Sequence, residues 1–180
     1  NGLISYKNGV FSNYNSANGL VDNKVFSVFI DSDSRIWAAT ANGISVINKE
    51  GTFTSITRKT GLIGNVAYAI VQDDDGNYYI SGNKGISILN KKEVDLFLQG
   101  KIQKIRGESI TVDDGLISNE FSGSAQLTAA KTARGEIIFP SSGVVVINPK
   151  KIKAGIMKRP SLVIEKVIAD GVEILQPKEK

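Results

Sequence analysis

Val25-Phe26-Ser27-Val28-Phe29-Ile30 is a run of six residues that is apolar at every position but one, and its β-branched and aromatic content reads as a short strand. Asp31-Ser32-Asp33-Ser34-Arg35 breaks the run with turn-forming side chains. Ile36 to Thr40 reads as a second strand. Asn42-Gly43 follows as a hairpin turn, since both residues tolerate positive φ. Ile44 to Ile47 alternates as a third strand, and Thr52 to Ile56 reads as a fourth. Four strands joined by tight turns make a meander.

The meander recurs. Gly19-Leu20-Val21-Asp22-Asn23 returns as Gly61-Leu62-Ile63-Gly64-Asn65 and again as Gly115-Leu116-Ile117-Ser118-Asn119. The first two copies lie 42 residues apart, and the register holds between them: Asp31 matches Asp73, Trp37 matches Tyr79, Gly43 matches Gly85 and Asn48 matches Asn90. A strand-rich repeat with a period of about 40–45 residues is the signature of one four-stranded propeller blade. The expected fold is all-β: a partial β-propeller of about three and a half four-stranded blades over residues 1–149.

The remaining segments follow from that register. Asn1-Gly2-Leu3 matches Asn42-Gly43-Ile44, so the chain is expected to open inside a blade, at its second hairpin, and to be a piece of something longer. Blade two is expected from Gly61 to about Ile105, with strands at Ala67 to Val71 and Tyr78 to Ile80. Its third copy of the Gly-Leu signal comes 54 residues on rather than 42, so it carries an insertion of 12; Lys91 to Gly100 within it reads as a short helical turn. Blade three is degenerate. Its first strand is expected at Phe121 to Gln126, its second at Gly135 to Phe139 and its third at Gly143 to Ile147, stopped by Asn148-Pro149. Residues 150–160 read as a basic linker. Ser161 to Ile168, the turn Asp170-Gly171 and Val172 to Leu175 read as a hairpin opening a further β-domain over residues 161–180.

Composition narrows the chemistry. The 180 residues are 41% hydrophobic, with 18 glycines, four prolines and no Gly-x-y period, which fits turn-rich β-structure. A formal charge of +4 with scattered basic residues does not imply a nucleic-acid partner. There is no cysteine, which excludes disulfides and thiolate chemistry, and no histidine, which removes the commonest general base and zinc ligand. No apolar run is long enough to span a bilayer, and no leader pattern of basic then apolar residues follows Asn1. No metal site and no cofactor are expected.

Gly-Leu-x-x-Asn, an Asp closing the first strand, Ile36-Trp37-x-x-Thr40 and Asn42-Gly43-Ile44 together resemble the two-component regulator propeller repeat. The third copy matches less well. Ser34 stands where a turn glycine is usual, Gly82 replaces the threonine and Tyr79 the tryptophan. The resemblance implies the extracytoplasmic, periplasmic sensor region of a bacterial inner-membrane hybrid two-component protein, a sensor histidine kinase and response regulator. Its output chemistry would lie outside these residues, and any membrane contact would be made through segments outside this chain. It further implies a carbohydrate ligand, signalling as a homodimer, and an immunoglobulin-like domain named for three tyrosines that begins near Pro160. The alternatives are the propeller sensor of a diguanylate cyclase, a secreted propeller enzyme and a pure interaction scaffold.

Among candidate sites, Asp73-Asp74-Asp75-Gly76-Asn77 lacks an acidic residue at the twelfth loop position, where Lys84 stands, so a hairpin turn is preferred to a calcium loop. Trp37 and Tyr79 share one repeat position and read as packing between blades. The loop entering strand one and the loop between strands two and three lie at the same rim of an antiparallel blade. That rim gathers Asp22, Asn23, Lys24, Asn42, Asn65, Lys84, Asn119 and Glu120 as the candidate ligand-binding set for an oligosaccharide or other small polar ligand. The repeated Asn23, Asn65 and Asn119 are read first as satisfying local backbone groups. The varied Asp22, Lys24, Lys84 and Glu120 are the better candidates. No catalytic residue is assigned; for the enzyme alternative, a pair from Asp22, Asp113, Asp114 and Glu120 would be needed.

Overall fold

The computed structural model describes residues 2–48, 50–123, 128–156, 167–170 and 172–175. It divides into two compact units, Asn1–Pro149 and Lys150–Lys180.

Every sheet is antiparallel. In the first unit, β1 (Leu3–Lys7) and β2 (Val10–Tyr14) form a hairpin. Blade one is a four-stranded meander in chain order: β3 (Val25–Ile30), β4 (Ile36–Thr40), β5 (Gly43–Ile47) and β6 (Phe53–Ile56). Blade two repeats it with β7 (Ala67–Gln72), β8 (Tyr78–Gly82), β9 (Ile86–Leu89) and, after an inserted helix α1 (Lys91–Leu98), β10 (Glu108–Ile110). Blade three shows β11 (Ala130–Lys131), β12 (Ile137–Pro140) and β13 (Val144–Ile147). The strands of blade one fall where alternation and turn chemistry place them, and the meander repeats in blade two.

Blades one and two share one core. Trp37, Ile44, Val46 and Ile56 of the first lie buried with Ile70, Tyr78, Ile80 and Leu89 of the second. Trp37 stacks on Tyr78 across the blade boundary, centroids 4.3 Å apart. Trp37 and Tyr79 therefore pack in the interior, as their shared repeat position implied, and both are essentially inaccessible.

The turn after the first strand is built alike in both blades. Asp31 Oδ1 accepts the backbone N–H of Asp33 and of Arg35 at 2.9 Å, and Asp73 Oδ1 accepts those of Asp75 and Asn77 at 3.0 and 2.8 Å. Asp73 thus closes a turn, the role preferred over calcium ligation. The turn needs a left-handed residue, which is Gly76 (φ 84°) in blade two and Ser34 (φ 64°) in blade one. A Cβ in that region is strained. Ser34→Gly is therefore expected to stabilise the chain by about 0.5–1 kcal/mol, after allowing for the greater chain entropy of glycine. A urea midpoint that falls instead would refute this.

Three expectations need correction. Blade two does not end near Ile105, because its fourth strand is β10, beginning at Glu108. The backbone N–H of Ile105 is committed to Thr60 O at 2.9 Å and that of Arg106 to Glu93 Oε2, so ladder pairing with β9 starts only afterwards. The first strand of blade three is not at Phe121 to Ser122. Phe121 N–H donates instead to Gly82 O of blade two, and the short inner strand forms at Ala130–Lys131 opposite Ile138 and Ile137. The expected residues Ser124 to Gln126 lie outside the described residues. Finally, the supposed linker is helical over its first part as α2 (Pro149–Ile156). A proline at the first helical position ends β13 and suits the new helix, since its missing N–H would be unpaired there in any case.

In the second unit, β14 (Val167–Ala169) pairs with β15 (Val172–Leu175), turning through Asp170 at φ 52°. The expected strand residues 161–166, which precede β14, lie outside the described residues.

Candidate functional site

The segment entering each blade is a fixed device. The side chain just before each Gly-Leu accepts a backbone N–H three residues earlier: Asn18 from Asn15 (2.6 Å), Thr60 from Thr57 (2.8 Å) and Asp114 from Thr111 (2.9 Å). The repeated asparagine then reaches back. Asn23 Oδ1 accepts Ser16 N–H at 2.7 Å, and Asn119 Oδ1 accepts Val112 N–H at 2.9 Å. These two amides hold the loop's backbone. Asn65 is exposed and makes no equivalent bond among the described residues.

The rim residues meet in neighbouring groups. Ala41 N–H donates to Lys24 O, which sets exposed Asn42 beside the Asp22–Lys24 loop. Gly64, next to Asn65, lies so close to Asn83 and Lys84 that a Cβ on it would stand 2.8 Å from Asn83 Oδ1. That Oδ1 is buried and unpartnered. Gly85 N–H donates to Asn119 O, and Ser141 Oγ donates to Glu120 O at 3.0 Å, joining the third loop to blades two and three. Asp22, Asn23 and Lys24 line a shallow depression of about 520 Å³ with Gly2 and Val25. Asp22 Oδ1 accepts Lys24 N–H at 2.7 Å, leaving the Lys24 side chain exposed, its Nζ 5.2 Å from the centre of the Phe26 ring.

Phe26 and Tyr68 were not legible as site residues. Each is the extra residue of a β-bulge: β3 pairs Val25 with Thr40 and then Ser27 with Ala39, and β7 pairs Ala67 with Gly82 and then Ala69 with Ser81. A bulge re-aims a side chain out of the regular pleat and is common beside binding sites. Here the two half-buried rings meet edge to face, 5.0 Å apart, next to the Lys24 loop. Ser27 Oγ bonds Tyr68 O at 2.7 Å and ties the bulges together. Gly123 lies against both rings, where a Cβ would come within 2.5 Å of Tyr68 and 2.7 Å of Phe26. Equal repeat position was the available signal, since residues 26 and 68 are also 42 apart.

Of the carboxylates considered for catalysis, Asp22 and Asp114 both close turns, the latter through a capping box with Thr111. At the opposite end of the blades, Asp31, Arg35, Trp37 and Tyr78 form a buried network extended by Asp95 of α1. Burial pushes the Asp31 carboxyl up, but hydrogen bonds from Arg35, Trp37 and Tyr78 outweigh it and hold the group below its ordinary value. Burial pushes the Tyr78 phenol well above its usual range.

Residues 19–42 and 61–84, one stretch in each of the two regular blades, match the family model of the two component regulator propeller. No curated protein sequence matches the chain. Among solved structures, the extracellular domain assigned to hybrid two component system BT3049 of B. thetaiotaomicron is 24% identical with a TM-score of 0.69. That match covers 94% of this chain and 21% of the other, so the chain spans about a fifth of its length. The extracellular domain assigned to one component system BT4673 of the same organism is 19% identical with a TM-score of 0.60, over 73% of this chain and 18% of that one. These likenesses establish the propeller fold. Among the described residues, no helix is long and apolar enough to cross a membrane.

Proposed function

We propose that this chain is a non-catalytic ligand-recognising portion of the extracytoplasmic, periplasmic region of a membrane-bound hybrid two-component regulator, and that its ligand is an oligosaccharide bound at the rim. The observation that carries the reading is the bulged pair Phe26 and Tyr68 beside the Lys24 loop. Rigid aromatic faces suit the apolar faces of sugar rings, and a few convergent polar groups fix orientation. Asp22, Lys24, Asn42, Lys84 and Glu120 supply those groups from loops held by backbone bonds, whereas Asn23 and Asn119 serve the scaffold. Such a receptor would signal as a homodimer of the full-length protein.

The test is a calorimetric screen of the chain against neutral oligosaccharides. A ligand is expected whose affinity falls about tenfold or more on Tyr68→Ala or Phe26→Ala, the loss typical of an aromatic anchor. Lys24→Ala should weaken it less, since an exposed cation contributes little. Binding indifferent to Tyr68, or no binding by any member of the panel, would defeat the proposal.

A further inference from the structure

A second depression, of about 410 Å³, lies between the Thr57–Ile63 turn and the segment leading into β10. Arg58, Lys104 and Arg106 line it, all exposed, against a single lining carboxylate, Glu108. The cations elsewhere in the described ion pairs, Arg35, Lys91 and Lys131, all face aspartates; these three do not. The depression has a rigid floor. Ile105 N–H donates to Thr60 O at 2.9 Å, and a Cβ on Gly107 would stand 2.3 Å from Gly61 O, so the two segments lie backbone against backbone. Arg106 is further held by its N–H bond to Glu93 Oε2. The site belongs to blade two alone. Lys104 and Arg106 come from the stretch carrying the 12-residue insertion, and Arg58 stands at a repeat position filled by Ser16 and Val112 in the other copies. The repeated Asn23 and Asn119 serve the scaffold here, while insertions and varied positions are free to build a site.

We propose that this depression is an oxyanion-binding site, taking the carboxylate or sulfate group of an acidic small molecule. Two guanidinium groups offer paired N–H donors matched to a planar carboxylate or a tetrahedral sulfate, with Lys104 as a compact third charge and the Ser109 hydroxyl as a neutral donor. The three cations outnumber the two nearby carboxylates, Glu108 in the lining and Glu93 on the Arg106 N–H. The rim depression, with Asp22 opposite Lys24, has no such excess.

Hydrogen exchange measured by mass spectrometry on the whole chain tests this, with sodium sulfate and sodium glucuronate titrated against sodium chloride at constant ionic strength. Saturable protection is expected in peptides covering residues 57–63 and 104–109 with at least one probe. Arg58→Gln or Arg106→Gln should raise the half-saturating concentration about tenfold, as for a lost charge-assisted hydrogen bond. Unchanged exchange elsewhere reports that the variants fold, and Lys104→Gln provides a third, independent variant. A response to sulfate alone identifies a sulfate ester as the natural group, and a response to glucuronate alone identifies a carboxylate. Protection matching that in chloride, or unaffected by all three variants, overturns the proposal. The depression borders the loop entering blade two but shares no residue with the Phe26–Tyr68 site: neutral saccharides failing at Tyr68 would leave it intact, and its failure would leave the reading at Tyr68 intact.

Discussion

Asp31→Ala is expected to destabilise the protein by about 3–5 kcal/mol, the range for breaking a buried ion pair by removing one partner. The Asp31 side chain is fully buried. Its Oδ2 accepts from Arg35 Nε at 2.6 Å, Trp37 Nε1 at 2.9 Å and the Tyr78 hydroxyl at 2.9 Å, while Oδ1 closes the turn. Alanine would strand all of these donors at the boundary between two blades. The Arg35 guanidinium would retain Asp95 at 2.6 Å and Asp33 at 2.8 Å, but both of those are partly solvated. Asp33→Ala, at a carboxylate with 46% of its side chain exposed, is the control and should cost no more than about 1 kcal/mol. Urea unfolding of the two variants decides the matter, and equal costs would show that the network does not hold the blades together.

The same network gives stability a pH dependence with two limbs. The folded Asp31 pKa lies below its unfolded value, so its contribution is complete above the unfolded value near 4 and is lost as pH falls through the folded value. The folded Tyr78 pKa is raised, so its contribution is complete below the unfolded value near 10 and is lost as pH rises toward the folded one. Asp31→Asn is expected to flatten the acid limb, and Tyr78→Phe the alkaline limb.

The second large effect expected is self-association of the chain. Ile4 (67% exposed), Tyr6 (65%) and Phe11 (73%) share one face of the β1–β2 hairpin, where Tyr6 and Phe11 are cross-strand partners. Val28 and Ile30 project from β3, and Val144 and Val146 from β13. Trp37, Ile44 and Tyr78 show what a covered blade face looks like in this fold, because they are wholly buried where blade meets blade. Apolar sheet faces and open edges left in water are association surfaces. Sedimentation velocity should show a mass that rises with concentration, and Tyr6→Ser with Phe11→Ser should return the chain toward monomer. A cooperative monomer at every concentration would refute the expectation.

Much of this was written locally. The four strands of blade one were readable because apolar alternation, Asp31 at the turn and Asn42-Gly43 act over a few residues each. The helical reading of Lys91 to Gly100 held for the same reason: Asn90 caps the helix by accepting Lys92 N–H, and Val94 supplies its buried contact. Blade three was the least legible, since the Ser- and Gly-rich stretch after Phe121 carries little strand signal, and its backbone bond goes to Gly82 of the neighbouring blade.

By itself, the sequence determined the repeat, its period, the meander and the residues that close each turn, because these depend on side chains acting on their own backbone. Only the tertiary structure decided the rest. It set the bulges that bring Phe26 against Tyr68, the commitment of Ile105 to Thr60 that delays β10, and the meeting of Arg58 with Lys104 and Arg106. Each of these joins residues about 40 or more positions apart. Pairing register and close backbone approach between distant segments are not fixed by the local pattern of the residues that make them; equal repeat position links Phe26 with Tyr68 but does not show that the two rings meet.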